Sequence, residues 1–319
     1  MTNRYLLAGA LACAFLGAPA LAQQDYPNHP IRFIVGPGTD LLARMVGEKL
    51  TEAWGQGVVI DVRPSAGGIV AGDAVAKAPP DGYTILLSSS TYTANVLLQP
   101  KMPYDLLTDL RPVALLATIP VVAVVNPAVP VHDLKELVAL ARAKPGQLNY
   151  ASAGNGTAPH LTGEMFKQLT QINIIHVPYK GVAPAITDVM GGQVQLTFST
   201  APSVLGAVHG GKLRAIGVTG NKRFKGLPDV PSAAEQGFPG FTYIAWNGIH
   251  APAKTPQAII DKLSSKIVEI MRSPSGIERA EKAGFDPSAA LPAKEFEQYQ
   301  EQDLARLKPI ITEGHIKVD

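Results

Sequence analysis

The chain has 319 residues, 46% of them hydrophobic, enough for one large domain or two with conventional cores. Its 28 Lys and Arg against 26 Asp and Glu leave a formal charge of only +2, and the basic residues are scattered, which excludes the basic face that nucleic acid requires. A single cysteine, Cys13, excludes a disulfide framework or a cysteine-ligated metal site.

Residues 1–22 read as a secretory signal peptide. Arg4 supplies the positive region, Tyr5 to Gly17 the apolar region, and Ala20-Leu21-Ala22 a small-x-small cleavage site before Gln23. The apolar run is short for a membrane span, and no later segment has the uninterrupted apolar length of one. Cys13 falls inside this signal, so the mature chain is expected to carry no thiol.

A strand over 31–35 comes first and runs into Gly36-Pro37-Gly38-Thr39-Asp40. A helix over 41–54 follows, in which Leu42, Met45, Val46, Leu50 and Ala53 recur at helical spacing. Strands over 58–62 and 83–88 flank a helix over 69–78, and the third strand leads into Ser88-Ser89-Ser90-Thr91. Residues 112–127, PVALLATIPVVAVVNP, are apolar, β-branched and broken by Pro120; they predict two strands that carry the chain from one half to the other. The first order then returns, with strands over 148–152, 172–177 and 194–198, helices over 158–169 and 182–190, and Ser199-Thr200 after the last strand. A strand over 213–218 and a Pro- and Gly-rich connection over 227–241 come next. A strand over 241–248 then brings the chain back, and helices over 256–272 and 293–310 close the first half. Strands alternating with helices predict two βαβαβ halves, one per lobe, each a mostly parallel sheet covered by helices.

The stretch 148–161, LNYASAGNGTAPHL, carries the chemistry. Its strand ends on Ser152, Gly154 and Gly156 bracket Asn155, and Thr157 stands before the helix as a candidate N-cap. Strand, glycine turn and capped helix aim unpaired N–H groups and the positive end of a helix dipole at one point, which suits an anion. An unliganded βα turn is the alternative for this loop alone. Recurrence of the device at Gly36, Gly38, Thr39 and Asp40 favours a paired site, since ligands of open α/β sheets bind outside the carboxyl ends of the strands. Ser88, Ser90 and Thr200 add hydroxyls at the same edges, with solvated loop hydroxyls as their alternative.

Enzyme signatures fare poorly. No Gly-x-Ser-x-Gly elbow surrounds Ser152, the seven histidines show no metal-ligand spacing, and Pro159 stands where a dinucleotide fingerprint has Gly or Ala. His160, four residues past Gly156, either faces the loop or bonds within the first helical turn. Binding alone is energetically sufficient: hydrogen bonds to a charged group contribute roughly 1.5–3 kcal/mol each and helix ends about 0.3–1, against the ~8 kcal/mol of micromolar affinity.

With these residues laid out, the chain resembles the substrate-binding receptors of tripartite tricarboxylate transporters, the Bug family of periplasmic proteins. The stretches that carry the resemblance are Tyr26-Pro27 with Pro30-Ile31-Arg32, Arg63-Pro64-Ser65-Ala66-Gly67-Gly68, Pro80-Asp81-Gly82-Tyr83-Thr84 and Met102-Pro103-Tyr104-Asp105. Tyr150-Ala151-Ser152 with Gly154, Gly156-Thr157 and His160-Leu161 comes next, followed by His176-Val177-Pro178-Tyr179-Lys180-Gly181. Leu227-Pro228-Asp229-Val230-Pro231, Pro239-Gly240-Phe241 and Ala251-Pro252-Ala253 with Thr255-Pro256 complete the order.

The resemblance implies an α/β, two-lobed periplasmic-binding-protein (Venus-flytrap) fold with two hinge crossovers: lobe 1 over 23–121 and 245–319, lobe 2 over 122–244. It implies a non-enzymatic, monomeric periplasmic receptor without cofactor or metal that captures a small carboxylate in the interlobe cleft and delivers it to the permease subunits of a tripartite transporter. A periplasmic ligand sensor feeding a signalling partner is the alternative. By position, Gly36, Gly38, Thr39 and Asp40 form the first-lobe carboxylate loop and Ser152, Gly154, Asn155, Gly156 and Thr157 the second-lobe one. Two departures stand out. The first loop is a few residues shorter than the family pattern, with Pro37 where a glycine is usual, and proline removes one donor and fixes φ. Gln195 stands where an Asp is common.

Overall fold

The computed structural model describes residues 26–36, 39–63, 65–99, 101–313 and 316. The predicted signal peptide, Pro37 and Gly38 lie outside the described residues.

Ten strands form one curled mixed sheet. The strands of its first part are β1 (Ile31–Val35), β2 (Val58–Val62) and β3 (Thr84–Ser89), all parallel, with β1 between the other two. Four of the five β1 residues are buried and only Arg32 is exposed, as expected of a strand covered on both faces. The helices of this part are α1 (Leu41–Trp54), α2 (Ile69–Ala76) and α3 (Ser90–Leu98). Buried Leu42, Met45, Val46 and Leu50 make four of the five predicted stripe positions on α1, Ala53 being exposed in the last turn, and Gly55, at φ 67°, ends the helix by donating its N–H to Thr51 O at 2.9 Å.

The chain then enters β4 (Leu110–Val125), a single strand of 16 residues where two were expected. Pro120 does not break it, because Pro120 sits where β4 changes partner. Its last pair with β9 (Ile244–Pro252) is Pro120 with Ile244, and the next residue, Val121, already pairs with Thr200 of β7 (Leu196–Thr200). A missing N–H is tolerated at such a handover. The second part of the sheet holds α4 (Leu134–Ala143), β5 (Asn149–Ser152), α5 (Ala158–Thr170), β6 (Ile175–Pro178) and α6 (Val182–Met190). After β7 come α7 (Ala201–His209) and β8 (Arg214–Val218). Strands β6, β5 and β7 run parallel. Helices α8 (Gln257–Arg272), α9 (Pro274–Lys282) and α10 (Ala293–Glu313), with the two-residue strand β10 (Leu291–Pro292), return to β4 and finish the chain.

Strand order is β2-β1-β3-β9-β4-β7-β5-β6, with β8 and β10 also on β4. Two apolar layers anchor the parts: Phe166, Phe198 and Phe241 meet at centroid distances of 4.9–5.9 Å in the second, and buried Trp246 donates Nε1–H to Asp303 at 2.7 Å in the first. Helix α10 packs on β4 and touches both α3 and α5, so it straddles the two parts.

The registers orient the site. Ser89, at the end of β3, lies opposite Asn247, which lies opposite Ala117 of β4. Thr200, at the end of β7, lies opposite Val121, four residues further along β4, about 13 Å at strand rise. Because β3 runs with β4 and β7 against it, the carboxyl edges of the two parallel sheets point at each other across this crossing.

Candidate ligand-binding site

Three loops leave the carboxyl edge of the first part. After β1, Gly36 lies against Tyr92, whose hydroxyl would stand 2.6 Å from a Cβ at that position, so only glycine fits. Thr39 Oγ1 accepts the Leu41 N–H at 3.3 Å. Asp40 sits at the N-cap of α1 without capping it; its carboxylate turns to Arg44, 2.8 Å from Nε. Its charge is thereby partly spent on a neighbour one helical turn away.

The second loop was not singled out as a site from the sequence, although its residues carry the resemblance. Gly67 and Gly68 stand at φ 62° and 75° before α2, Ser65 Oγ accepts the Val70 N–H at 3.2 Å, and Asn95 of α3 donates Nδ2–H to Gly67 O at 2.8 Å. Strand, glycine pair and helix form the same signal as in the two loops that were singled out.

At the third position the structure corrects the expectation of loop hydroxyls after β3. Ser88 lies within the strand, wholly buried, its hydroxyl 2.7 Å from His250 Nδ1 and 3.0 Å from Gly248 O, so it faces the core. Ser90 opens helix α3 and is likewise buried. Thr200, also expected on a loop, is the N-cap residue of α7, with Oγ1 2.9 Å from Ser203 Oγ.

The 152–157 loop has the predicted course, with Gly154 at φ 123° and Gly156 at φ 75°. Its hydrogen bonds differ from expectation. Thr157 stands at the N-cap of α5, but its hydroxyl donates to Gly154 O at 2.6 Å in place of accepting from the helix. The Gly154 N–H goes to Ser152 Oγ at 3.1 Å, and the Gly156 N–H to His160 Nδ1 at 3.0 Å. Two of the amides expected to face an anion are thus used inside the loop, because its tight turn brings the side-chain acceptors of Ser152 and His160 within hydrogen-bond reach. The remaining orphan donors of the first turn are Ala158 and His160, since Pro159 has none. Asn155 is half-buried at the loop's tip.

Beneath this loop the His160 and His176 rings stack at 4.1 Å, His176 in turn stacks on Tyr150 at 4.9 Å, and His176 Nε2 lies 2.6 Å from Ser152 Oγ. Burial lowers the pKa of both histidines, that of His176 to about 3 with help from its neighbour His160. The layer is therefore neutral at physiological pH. Exposed Lys180, after β6, stands at the same sheet edge. Among the described residues, no group of three or more His, Cys, Asp or Glu could hold a metal ion.

Comparison with known proteins shows the family of the chain. The profile described as "Tripartite tricarboxylate transporter family receptor" matches residues 42–316. The chain belongs to this family. Protein BugT of Bordetella pertussis is 37% identical over 288 residues, covering 88% of this chain and 88% of BugT. Among solved structures, R. palustris Rpa4515 with adipate superposes with a TM-score of 0.88 at 32% identity, covering 92% of this chain and all (100%) of that one. MatC from Rhodopseudomonas palustris with bound malate gives a TM-score of 0.82 at 28% identity, covering 90% of this chain and 100% of that one. The receptor thus has the two-lobed α/β fold of periplasmic binding proteins, and its family is one of solute-binding receptors. No helix among its described residues is long and apolar enough to cross a membrane.

Proposed function

We propose that this receptor captures a small carboxylate in the periplasm, between two lobes that close on it, and hands it to the permease of a tripartite transporter without chemical turnover. The observation that carries the reading is the geometry of the sheet: the glycine loops before α1, α2 and α5 leave carboxyl edges that face one another across the β4–β9 crossing. Relatives of the same fold hold adipate and malate. We assign the lobes to residues 23–121 with 245–319 and to 122–244. In support, Thr219 bonds β4 and the residue that leads into β9, its N 2.9 Å from Val121 O and its Oγ1 2.7 Å from Tyr243 O. Of the residues named from the sequence, Thr39, Asn155, Thr157 and Thr200 stand at helix starts or loop tips on these edges and are proposed as the contacts, joined by the amide of Gly67.

A carboxylate that binds only the folded protein raises its apparent stability, by about 2.7 kcal/mol at a hundredfold excess over Kd. A thermal-shift screen that includes adipate and malate therefore tests the proposal. A rise in Tm with at least one carboxylate is expected; no rise with any would refute it. One observation favours a second reading: the 2.6 Å Ser152–His176 contact has the geometry of a nucleophile and its base. Against it, Ser152 is fully buried and its hydroxyl already bonds the Gly154 backbone. Ester hydrolysis lost on Ser152→Ala would establish that reading.

A further inference from the structure

The 152–157 loop rests on two side chains that come from different elements. His160, from the first turn of α5, accepts the Gly156 N–H at 3.0 Å; His176, from β6, lies 2.6 Å from Ser152 Oγ, which itself receives the Gly154 N–H at 3.1 Å. Both ends of the loop are therefore bonded to imidazole nitrogens, directly at Gly156 and through Ser152 at Gly154. The two rings stack nearly parallel, 14° apart, which locks each against rotation. Without these acceptors the amides of Gly154 and Gly156 would need other partners, and the positive-φ turn they hold would have no fixed shape.

We propose that His160 and His176 are positioning residues that keep the 152–157 loop in its ligand-receiving shape and release it on protonation. The inference rests on the reading of that loop as the carboxylate site. An imidazole accepts an N–H through Nδ1 only when that nitrogen carries no proton. A proton added at His160 would set N–H against N–H and expel Gly156. The charged and titratable groups facing the pair are Glu164 and Lys167 of α5, mutually bonded at 2.7 Å, and Tyr150 of β5, whose hydroxyl donates to Glu164 at 2.6 Å. Glu164 is thus already bonded to two donors, and Lys167 opposes a second positive charge. Burial acts in the same direction. A loop that opens frees histidines of ordinary basicity, so acid favours the open form by linkage.

The test is hydrogen exchange of the peptide covering residues 150–162, measured on the exported, purified protein from pH 7.5 to 5 and corrected for intrinsic rate. Below pH 6.5 the wild type should lose protection there by up to about a hundredfold per pH unit, about tenfold for each histidine. His160→Asn puts an amide oxygen near the place of Nδ1 but cannot titrate; it should keep the protection and lose about half of the pH slope, His176 carrying the rest. His160→Leu, with no acceptor, should exchange about tenfold faster at pH 7.5. His176→Gln should halve the slope. A His160→Leu loop protected like the wild type, or an unchanged slope in His160→Asn, would overturn the inference; should His160→Leu not fold, the slope in His160→Asn decides. Adipate and malate titrations on the same proteins separate the two claims. Exchange as expected with no carboxylate bound refutes the carboxylate reading alone, and wild-type affinity in His160→Leu refutes the positioning role.

Discussion

Acid should destabilise this receptor well before its carboxylates begin to protonate. Burial lowers His176 to about 3 and His250 to about 4, from 6.5. A histidine whose folded pKa is depressed contributes its full stability above the unfolded value and loses it as pH falls from 6.5 towards the folded one, because the unfolded chain binds the proton first. At pH 5 each site is about 1.5 units below the unfolded pKa, or about 2 kcal/mol. The two lie in different parts of the sheet, so the losses add to about 4 kcal/mol, a large share of a typical 5–15 kcal/mol total. His160 acts in the same direction. Asp61, Glu48 and Glu235, lowered by their arginine or backbone partners, begin to lose their contributions as pH falls through the normal carboxylate range, about 4, and complete the loss below it, so most of their effect lies under this window. The assay is urea unfolding at pH 7.5, 6 and 5, followed by the fluorescence of Trp54 and Trp246. His250→Asn keeps a polar atom facing Ser88 without titrating and should remove about half of the slope. Stability that is flat or rises from pH 7.5 to 5, or a slope untouched in a His176→Gln, His250→Asn double variant, would refute the reasoning.

Two further outcomes follow from packing. The Tyr92 hydroxyl is buried with no partner among the described residues, beneath Gly36 and Gly68. Tyr92→Phe removes a desolvated group and should raise stability, by about 1 kcal/mol; thermal unfolding below the wild-type Tm would show that the hydroxyl has a partner in solution. Gly163 on α5 is covered by the Tyr150 ring, which a Cβ would strike. Gly163→Ala should therefore cost about 1–3 kcal/mol in urea unfolding and loosen the His176–Tyr150 stack, and an unchanged midpoint would show a ring free to shift.

Which features were legible in the sequence has a physical pattern. The bounds of helix α1 were read to the residue because its stripe is buried from Leu42 to Leu50 and Gly55 supplies a left-handed stop. Helix α3 was missed: it begins inside a Ser-Thr run and is buried nearly all round, at Ser90, Tyr92, Thr93, Ala94 and Asn95, so it shows no amphipathic period. Helix α4 did carry a signal, Asp133 accepting from the Glu136 N–H at 2.7 Å, the spacing of an N-cap, which went unread. Helix α7 likewise began at a run, Ser199-Thr200, read only for its hydroxyls. Pro120 misled because proline breaks a strand only where its N–H is needed. In the site, the course of the 152–157 loop was legible from its glycines. The side-chain partners that consume its amides were not, since the reach of His160 to Gly156 exists only once the turn has formed. The role of His176 depends on two strands that pair across 24 residues of sequence.

The central claim is closure of two lobes on a carboxylate, and a spin-label distance tests it most directly. Cys13 is the single cysteine and lies in the segment expected to be removed on export, so labels introduced elsewhere are unique. Val59 on β2 and Ile175 on β6 are 57% and 47% exposed, on the two outermost strands of the sheet. With cysteines at both positions, the double electron–electron resonance distance should shorten when a carboxylate found by thermal shift is added to saturation. A distance that stays fixed while the carboxylate binds, or the failure of every carboxylate to bind, would contradict the account.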